Sequence, residues 1–194
     1  PPPSSVFMLG VSKFKDLLEV LKIFQSKLSL QAFEFFSDHA LEKVIEAHGY
    51  PKPFETYAPF YALIDFDNQD NTSQDDALKL YSECADKKLV LDGVMSESIA
   101  QSQNMWKLRE DISETLWHYQ PYKNDLSVRI SKMPKFLDEV GSFIKKSYPN
   151  FEVIWYGHIG DGNLHLNILK PAALNKSGFK SLCDDISMNL GQLV

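Results

Sequence analysis

Two histidines, His158 and His165, stand in the run Trp155-Tyr-Gly-His-Ile-Gly-Asp-Gly-Asn-Leu-His-Leu-Asn-Ile168. The same fourteen residues hold three of the nine glycines and the asparagines Asn163 and Asn167. Imidazole nitrogens suit zinc, manganese, iron or cobalt, and the backbone between the two rings decides whether they can meet one ion. Asp161-Gly162 is a strong signal for a two-residue type I′ hairpin turn. Such a turn sets Gly160 opposite Asn163, Ile159 opposite Leu164 and His158 opposite His165. Directly opposed residues share a face with Cβ atoms roughly 4.5–5.5 Å apart, within reach of a single metal. Alternation puts Tyr156, His158, Asn163, His165 and Asn167 on one face, and Val153, Trp155, Ile159, Leu164, Leu166 and Ile168 on the other. Two imidazoles do not close a coordination sphere. A carboxylate and substrate oxygens would have to complete it, which is the open arrangement of a catalytic metal.

A second constellation is Arg109 with Ser113, four residues apart on one helix face. They border an apolar stripe of Met105, Leu108, Ile112 and Leu116. A planar guanidinium matches the two oxygens of a carboxylate. Position alone favours the plainer reading, in which Arg109 lies at an amphipathic boundary and reaches to water. Lys123, beside Tyr122, Asn124 and Asp125, falls where that helix turns back into a strand, a place where lysines are usually solvated. Gly160-x-Gly162 precedes no helix, so it is a weak phosphate-binding signal.

The elements that must position these groups follow from periodicity. Val6 to Val11 reads as a strand, Lys13 to Lys27 as a helix and Leu28 to Phe36 as a second strand. A helix from Ser37-Asp38 to Ala47 is inserted and ends at Gly49 and Pro51. Pro59 to Phe66 is a strand, Ser73 caps a helix through Ala85, and Leu89 to Val94 is extended. Apart from the insertion, this is β-α-β-β-α-β, the split βαβ pattern of ferredoxin-like units. Ile99 to Tyr119 reads as one long helix ending before Pro121. A strand over Leu126 to Ile130, a helix over Pro134 to Lys146, the hairpin and a helix over Leu174 to Leu190 complete the chain. The fold class expected is α+β: duplicated ferredoxin-like units, antiparallel sheets with helices on one face, the second unit truncated.

With 194 residues, 44% hydrophobic and 24% charged, the chain is long enough to bury a sizeable core. A net charge of −6 without a basic stripe argues against nucleic acid as a partner. Cys84 and Cys183 form no C-x-x-C pair and read as free buried thiols in a reducing compartment. No apolar run reaches transmembrane length. Pro1-Pro-Pro-Ser-Ser5 reads as a linker, with residues 6–194 as a domain incomplete at its C-terminus.

The run Gly157-His-Ile-Gly-Asp-Gly-Asn-Leu-His165 resembles the signature of the C-terminal, substrate-binding domain of FAD-linked oxidases of the vanillyl-alcohol oxidase type, in the branch of D-2-hydroxyglutarate and D-lactate dehydrogenases. Ala32-Phe-Glu-Phe-Phe36, Ala58-Pro-Phe-Tyr61, Trp106-Lys-Leu-Arg-Glu110 and Tyr122-Lys-Asn-Asp-Leu-Ser127 are similar to the same family in the same order. The resemblance implies a duplicated ferredoxin-like fold, metal-binding roles for His158 and His165, and zinc foremost among divalent metals. It implies a substrate contact for Asn167, a cofactor contact for Asn163 and a substrate-carboxylate contact for Arg109. Ser113 stands where hydroxyglutarate enzymes carry threonine, and Lys123 matches a lysine that holds a distal carboxylate. Arg129 stands where a proline is common.

The function implied is the substrate- and metal-binding part of a flavin-dependent dehydrogenase that oxidises D-2-hydroxyglutarate, or D-lactate, to the 2-oxo acid. Its partners would be the small 2-hydroxy acid and an upstream FAD-binding domain of the same protein. A Glu-His-Gly segment beyond Val194 would supply a third ligand and the base, so these 194 residues alone are expected to be inactive. Cytoplasmic placement follows, mitochondrial in a eukaryote, and a homodimer is left open. The competing class is a non-catalytic ferredoxin-like binding or regulatory module. A metal-dependent hydrolase is a third reading, with Asp161 its nearest carboxylate.

Overall fold

Alternating apolar runs pair into one sheet in the computed structural model, which describes residues 4–68 and 72–190. The seven strands are β1 (Ser4–Val11), β2 (Leu30–Ser37), β3 (Phe60–Asp67), β4 (Asp92–Met95), β5 (Tyr122–Ser127), β6 (Glu152–His158) and β7 (Asn163–Leu169). Their order across the sheet is β4-β1-β3-β2-β6-β7-β5, and every neighbouring pair is antiparallel. The two halves of the chain thus share a single sheet, joined where β2 meets β6, rather than forming separate ones. Of the expected linker, residues 1–3 lie outside the described residues, and Ser4 and Ser5 belong to β1.

The helices are α1 (Phe14–Gln25), α2 (Asp38–His48), α3 (Thr72–Asp86), α4 (Ile99–Glu110), α5 (Ile112–Trp117), α6 (Met133–Ser147) and α7 (Lys176–Leu190). They cover both faces, which corrects the one-faced expectation. Helices α1, α3, α6 and α7 bury Leu17, Leu80, Val140 and Ile186 against Leu9, Phe35, Ile64, Trp155, Leu164 and Leu166. On the opposite face α2, α4 and α5 bury Leu41, Leu108 and Ile112 against Met8, Phe36, Leu63, Ile154 and Tyr156. The physical reason is in the strands. Phe33, Phe35 and Phe36 are all buried, so β2 is apolar on both sides and needs a helix layer on each.

Local chemistry sets the element ends. Gly49 takes the left-handed φ of 67° that closes α2, a conformation cheap only for glycine. Ser98 caps α4 by accepting from the Gln101 amide at 3.2 Å. The expected single helix over Ile99 to Tyr119 is broken at Asp111, whose carboxylate accepts from the Tyr50 hydroxyl at 2.7 Å. The expected strand over Leu126 to Ile130 lies earlier, as β5, and Ile130 starts a 3-10 turn before α6.

The hairpin is the largest local correction. His158 lies opposite Asn163, Gly157 opposite Leu164 and Tyr156 opposite His165, so a four-residue loop replaces the two-residue turn. Ile159–Asp161 form a 3-10 turn and Gly162 closes it at φ 71°. Ile159 is fully buried in that turn, and the Val128 amide donates to the Gly162 carbonyl at 2.9 Å. Ile159 is on the core side in either register, so the backbone contact from Val128 is what the local preference of Asp-Gly does not contain. The register moves by two residues, so each side chain keeps its face.

Candidate active site on the β2–β6–β7–β5 face

Glu34 is the one charge within the apolar run Ala32-Phe-Glu-Phe-Phe36, and β2–β6 pairing sets it opposite His158. Only 5% of it is exposed. Its Oε1 lies 2.6 Å from His158 Nδ1, and its Oε2 lies 2.8 Å from Arg109 Nη2. The Arg109 contact is an ion pair without hydrogen-bond alignment, so Oε2 and Arg109 Nε are left without hydrogen-bond partners among the described residues. Arg109 is itself buried, and its guanidinium sits 4.8 Å above the Tyr156 ring. Taking one member from a buried ion pair strands the other charge, at a cost of about 3–5 kcal/mol. Carboxylate, guanidinium and imidazole therefore hold one another in place.

The second histidine has a parallel arrangement. His165 lies opposite Asp125 on β5, with Nδ1 2.6 Å from Asp125 Oδ1. The Tyr156 ring packs 4.8 Å from the His165 ring. The two imidazole centroids are 5.6 Å apart at 82°, a diagonal contact across β6 and β7 rather than a directly opposed pair. An ionised carboxylate only accepts, so each Nδ1 donates and each Nε2 is the atom left for a ligand. Among the described residues no group of three or more His, Cys, Asp or Glu side chains is placed to hold a metal ion.

At the far end of the same face, Lys123 lies opposite Asn167 and its Nζ donates to Ser113 Oγ at 3.2 Å. Lys123 belongs to strand β5 and not to a loop, which aims it at α5 instead of solvent alone. Asn167 is 1% exposed, with Oδ1 unpartnered among the described residues. Asn163 begins β7 opposite His158 and is half-buried. All seven residues picked out from the sequence thus lie on this face or on the helices covering it. Sequence reasoning passed over Glu34 and Asp125. A charge amid phenylalanines was a usable signal for Glu34, whereas Asp125 carried none. They also displace Asp161, exposed in the 3-10 turn, as the carboxylates nearest the histidines. A cleft of about 520 Å³ opens beside His158, lined by Leu21, Leu30, Phe33, Glu34 and Asp161 among others.

The sequence of residues 1–191 matches the family described as FAD linked oxidases, C-terminal domain. The chain belongs to that family. As an FAD-linked oxidase C-terminal domain it has near relatives. It is 50% identical over 187 residues to a D-2-hydroxyglutarate dehydrogenase of Stutzerimonas stutzeri (strain A1501), covering 96% of this chain and 40% of that protein. A D-2-hydroxyglutarate dehydrogenase of Xanthomonas citri pv. viticola is 46% identical over 99% of this chain and 40% of that protein. A protein of Danio rerio named D-2-hydroxyglutarate dehydrogenase, mitochondrial, is 32% identical over 89% of this chain and 32% of its own length. The chain therefore spans 40% or less of the length of these relatives. Among solved structures, 4-ethylphenol oxidase from Gulosibacter chungangensis superposes with a TM-score of 0.52 at 10% identity, over 87% of this chain and 39% of that one. That likeness concerns the fold alone. No helix among the described residues is long and apolar enough to cross a membrane.

Proposed function

We propose that this chain is the substrate-binding part of a flavin-dependent dehydrogenase that oxidises D-2-hydroxyglutarate to its 2-oxo acid, with D-lactate as the alternative substrate. The observation carrying the reading is one sheet face with two carboxylate-held imidazoles at one end and the Lys123–Ser113 pair at the other. Asp125 and Lys123 are two residues apart on β5, roughly 6.5 Å along a strand. That spacing suits a substrate with a carboxylate at each end better than one with a methyl end. The names of the relatives point the same way.

In this reading the Nε2 atoms of His158 and His165 supply two ligands to a divalent metal, zinc foremost. The donor set fits in kind, since a carboxylate at Nδ1, which leaves Nε2 for the metal, is how metal-ligating histidines are usually set. When bound, such a metal lowers the pKa of the substrate hydroxyl. Asn163 contacts FAD, which when bound accepts the hydride, and the half-exposed His158 end beside the cleft leaves room for it. The buried Asn167, with an unsatisfied oxygen, orients the substrate. Lys123 and Ser113 hold the distal carboxylate, and the remaining donors of Arg109 face the substrate as well. These contacts are positioning, which converts binding into rate.

The same reading makes the residues from β1 onward a substrate-binding domain, with Ser4 and Ser5 in its first strand rather than in a linker, and sets a flavin domain before it in the full protein. The strand order β4-β1-β3-β2 beside β6-β7-β5 supports two ferredoxin-like units, the second lacking its fourth strand. The reading places the protein in the cytoplasm, or in mitochondria of a eukaryote, and the name of the Danio rerio relative accords with the second. The test is a substrate panel on the full-length protein, with and without chelator. Chelator-sensitive oxidation preferring D-2-hydroxyglutarate over D-lactate is expected. Equal use of both acids, or insensitivity to chelator, overturns the reading.

A further inference from the structure

We infer that Glu34 is the positioning residue of His158, and that Arg109 acts on the site through Glu34 as well as facing it. The inference rests on the metal reading for His158 and goes beyond it by assigning a residue from the other half of the chain.

Three observations carry it. Glu34 Oε1 is 2.6 Å from His158 Nδ1, across the β2–β6 seam. The carboxylate is 5% exposed and held at its other oxygen by the buried Arg109, 2.8 Å away. His158 itself is 43% exposed at the side chain, so without Glu34 little else would fix its ring. An ionised carboxylate at Nδ1 selects the tautomer with Nδ1 protonated and Nε2 bare, the form that binds a metal. The corresponding pair at His165 is weaker as a device. Asp125 is 78% exposed at the side chain, while His165 is 19% exposed and already packed on Tyr156. Water competes for Asp125 but not for Glu34, so the two carboxylates, alike in distance, differ in consequence.

Zinc affinity of the full-length protein, measured by competition titration, separates the alternatives. Glu34→Gln keeps the volume but puts an amide between two donors, Arg109 and His158. It is expected to weaken zinc about 10- to 100-fold, with Asp125→Asn weakening it less. If Glu34→Gln leaves zinc affinity unchanged while His158→Ala abolishes it, the metal reading survives and this inference fails. If the unaltered protein does not bind zinc, both fail. Should Glu34→Gln not fold, nitrogen-15 NMR of the unaltered protein decides instead. A metal-free His158 protonated at Nδ1 is expected, and the opposite tautomer overturns the assignment.

Discussion

Gly157 sits between Tyr156 and His158, and it is glycine for a reason that can be tested. A Cβ at this position would collide with the backbone carbonyl of Asn163 and come within 3.2 Å of Leu164 Cα. Neither obstacle is the end of a flexible side chain. Strands β6 and β7 are further pinned by β2 and β5 on their outer sides, so they cannot part freely. Overpacking of this kind costs about 1–3 kcal/mol, and rigid backbone obstacles place Gly157→Ala at the upper end, near 3 kcal/mol. Any relief must come from separating the hairpin strands, which moves His158 and His165 apart. On the proposed metal reading, disturbing how the two histidines are held weakens zinc by about 10- to 100-fold. Denaturant unfolding of the full-length protein and zinc titration on the same sample read both effects. A lowered midpoint together with weakened zinc is expected. An unchanged midpoint would refute the strand register, and a lowered midpoint with intact zinc binding would refute the claim that this pairing positions the histidines.

If Lys123 holds a distal carboxylate as proposed, Lys123→Ala removes a charged contact worth about 1.5–3 kcal/mol, and kcat/KM of the full-length protein for D-2-hydroxyglutarate should fall roughly 10- to 150-fold. D-lactate, which has no such group, should be oxidised as before; an equal loss for both acids would count against the assignment. Burial pushes the Cys84 thiol up to about 11 and the Cys183 thiol up to about 12, and both are free and fully buried. Alkylation by iodoacetamide at pH 8 should therefore be slow until the protein unfolds. Because these folded values lie above the unfolded thiol value, their contribution to stability is intact below about pH 9. It is lost as pH rises through 11–12. Rapid labelling of the native protein would contradict the packing of α3 and α7.

The site was partly legible in one dimension. Strand alternation alone put Tyr156, His158, Asn163, His165 and Asn167 on one face, and that assignment survived an error in the turn because the register moved by an even number of residues. The apolar period of Phe14, Leu17, Leu21 and Phe24 likewise marks the face that α1 buries, since a helix must bury the face its sequence makes apolar. Pro121 marks the helix end sharply, but the polar run Lys123-Asn-Asp125 hides the start of β5 at Tyr122, so Lys123 reads as a loop residue. Alternation places Ile159 on the core face, as found, but nothing local shows that Val128 meets the Gly162 carbonyl, so the Asp-Gly preference carries no sign of the longer loop.

Local sequence determined which residues can do chemistry and which face they share, because those depend on side-chain type and a period of two. Tertiary structure decided what holds them. Glu34 and His158 are 124 residues apart in the chain, and only the seam between β2 and β6 makes them partners. A contact at that separation depends on how two halves of a sheet align. That alignment is set by the summed burial of both helix layers, not by any residue near either partner.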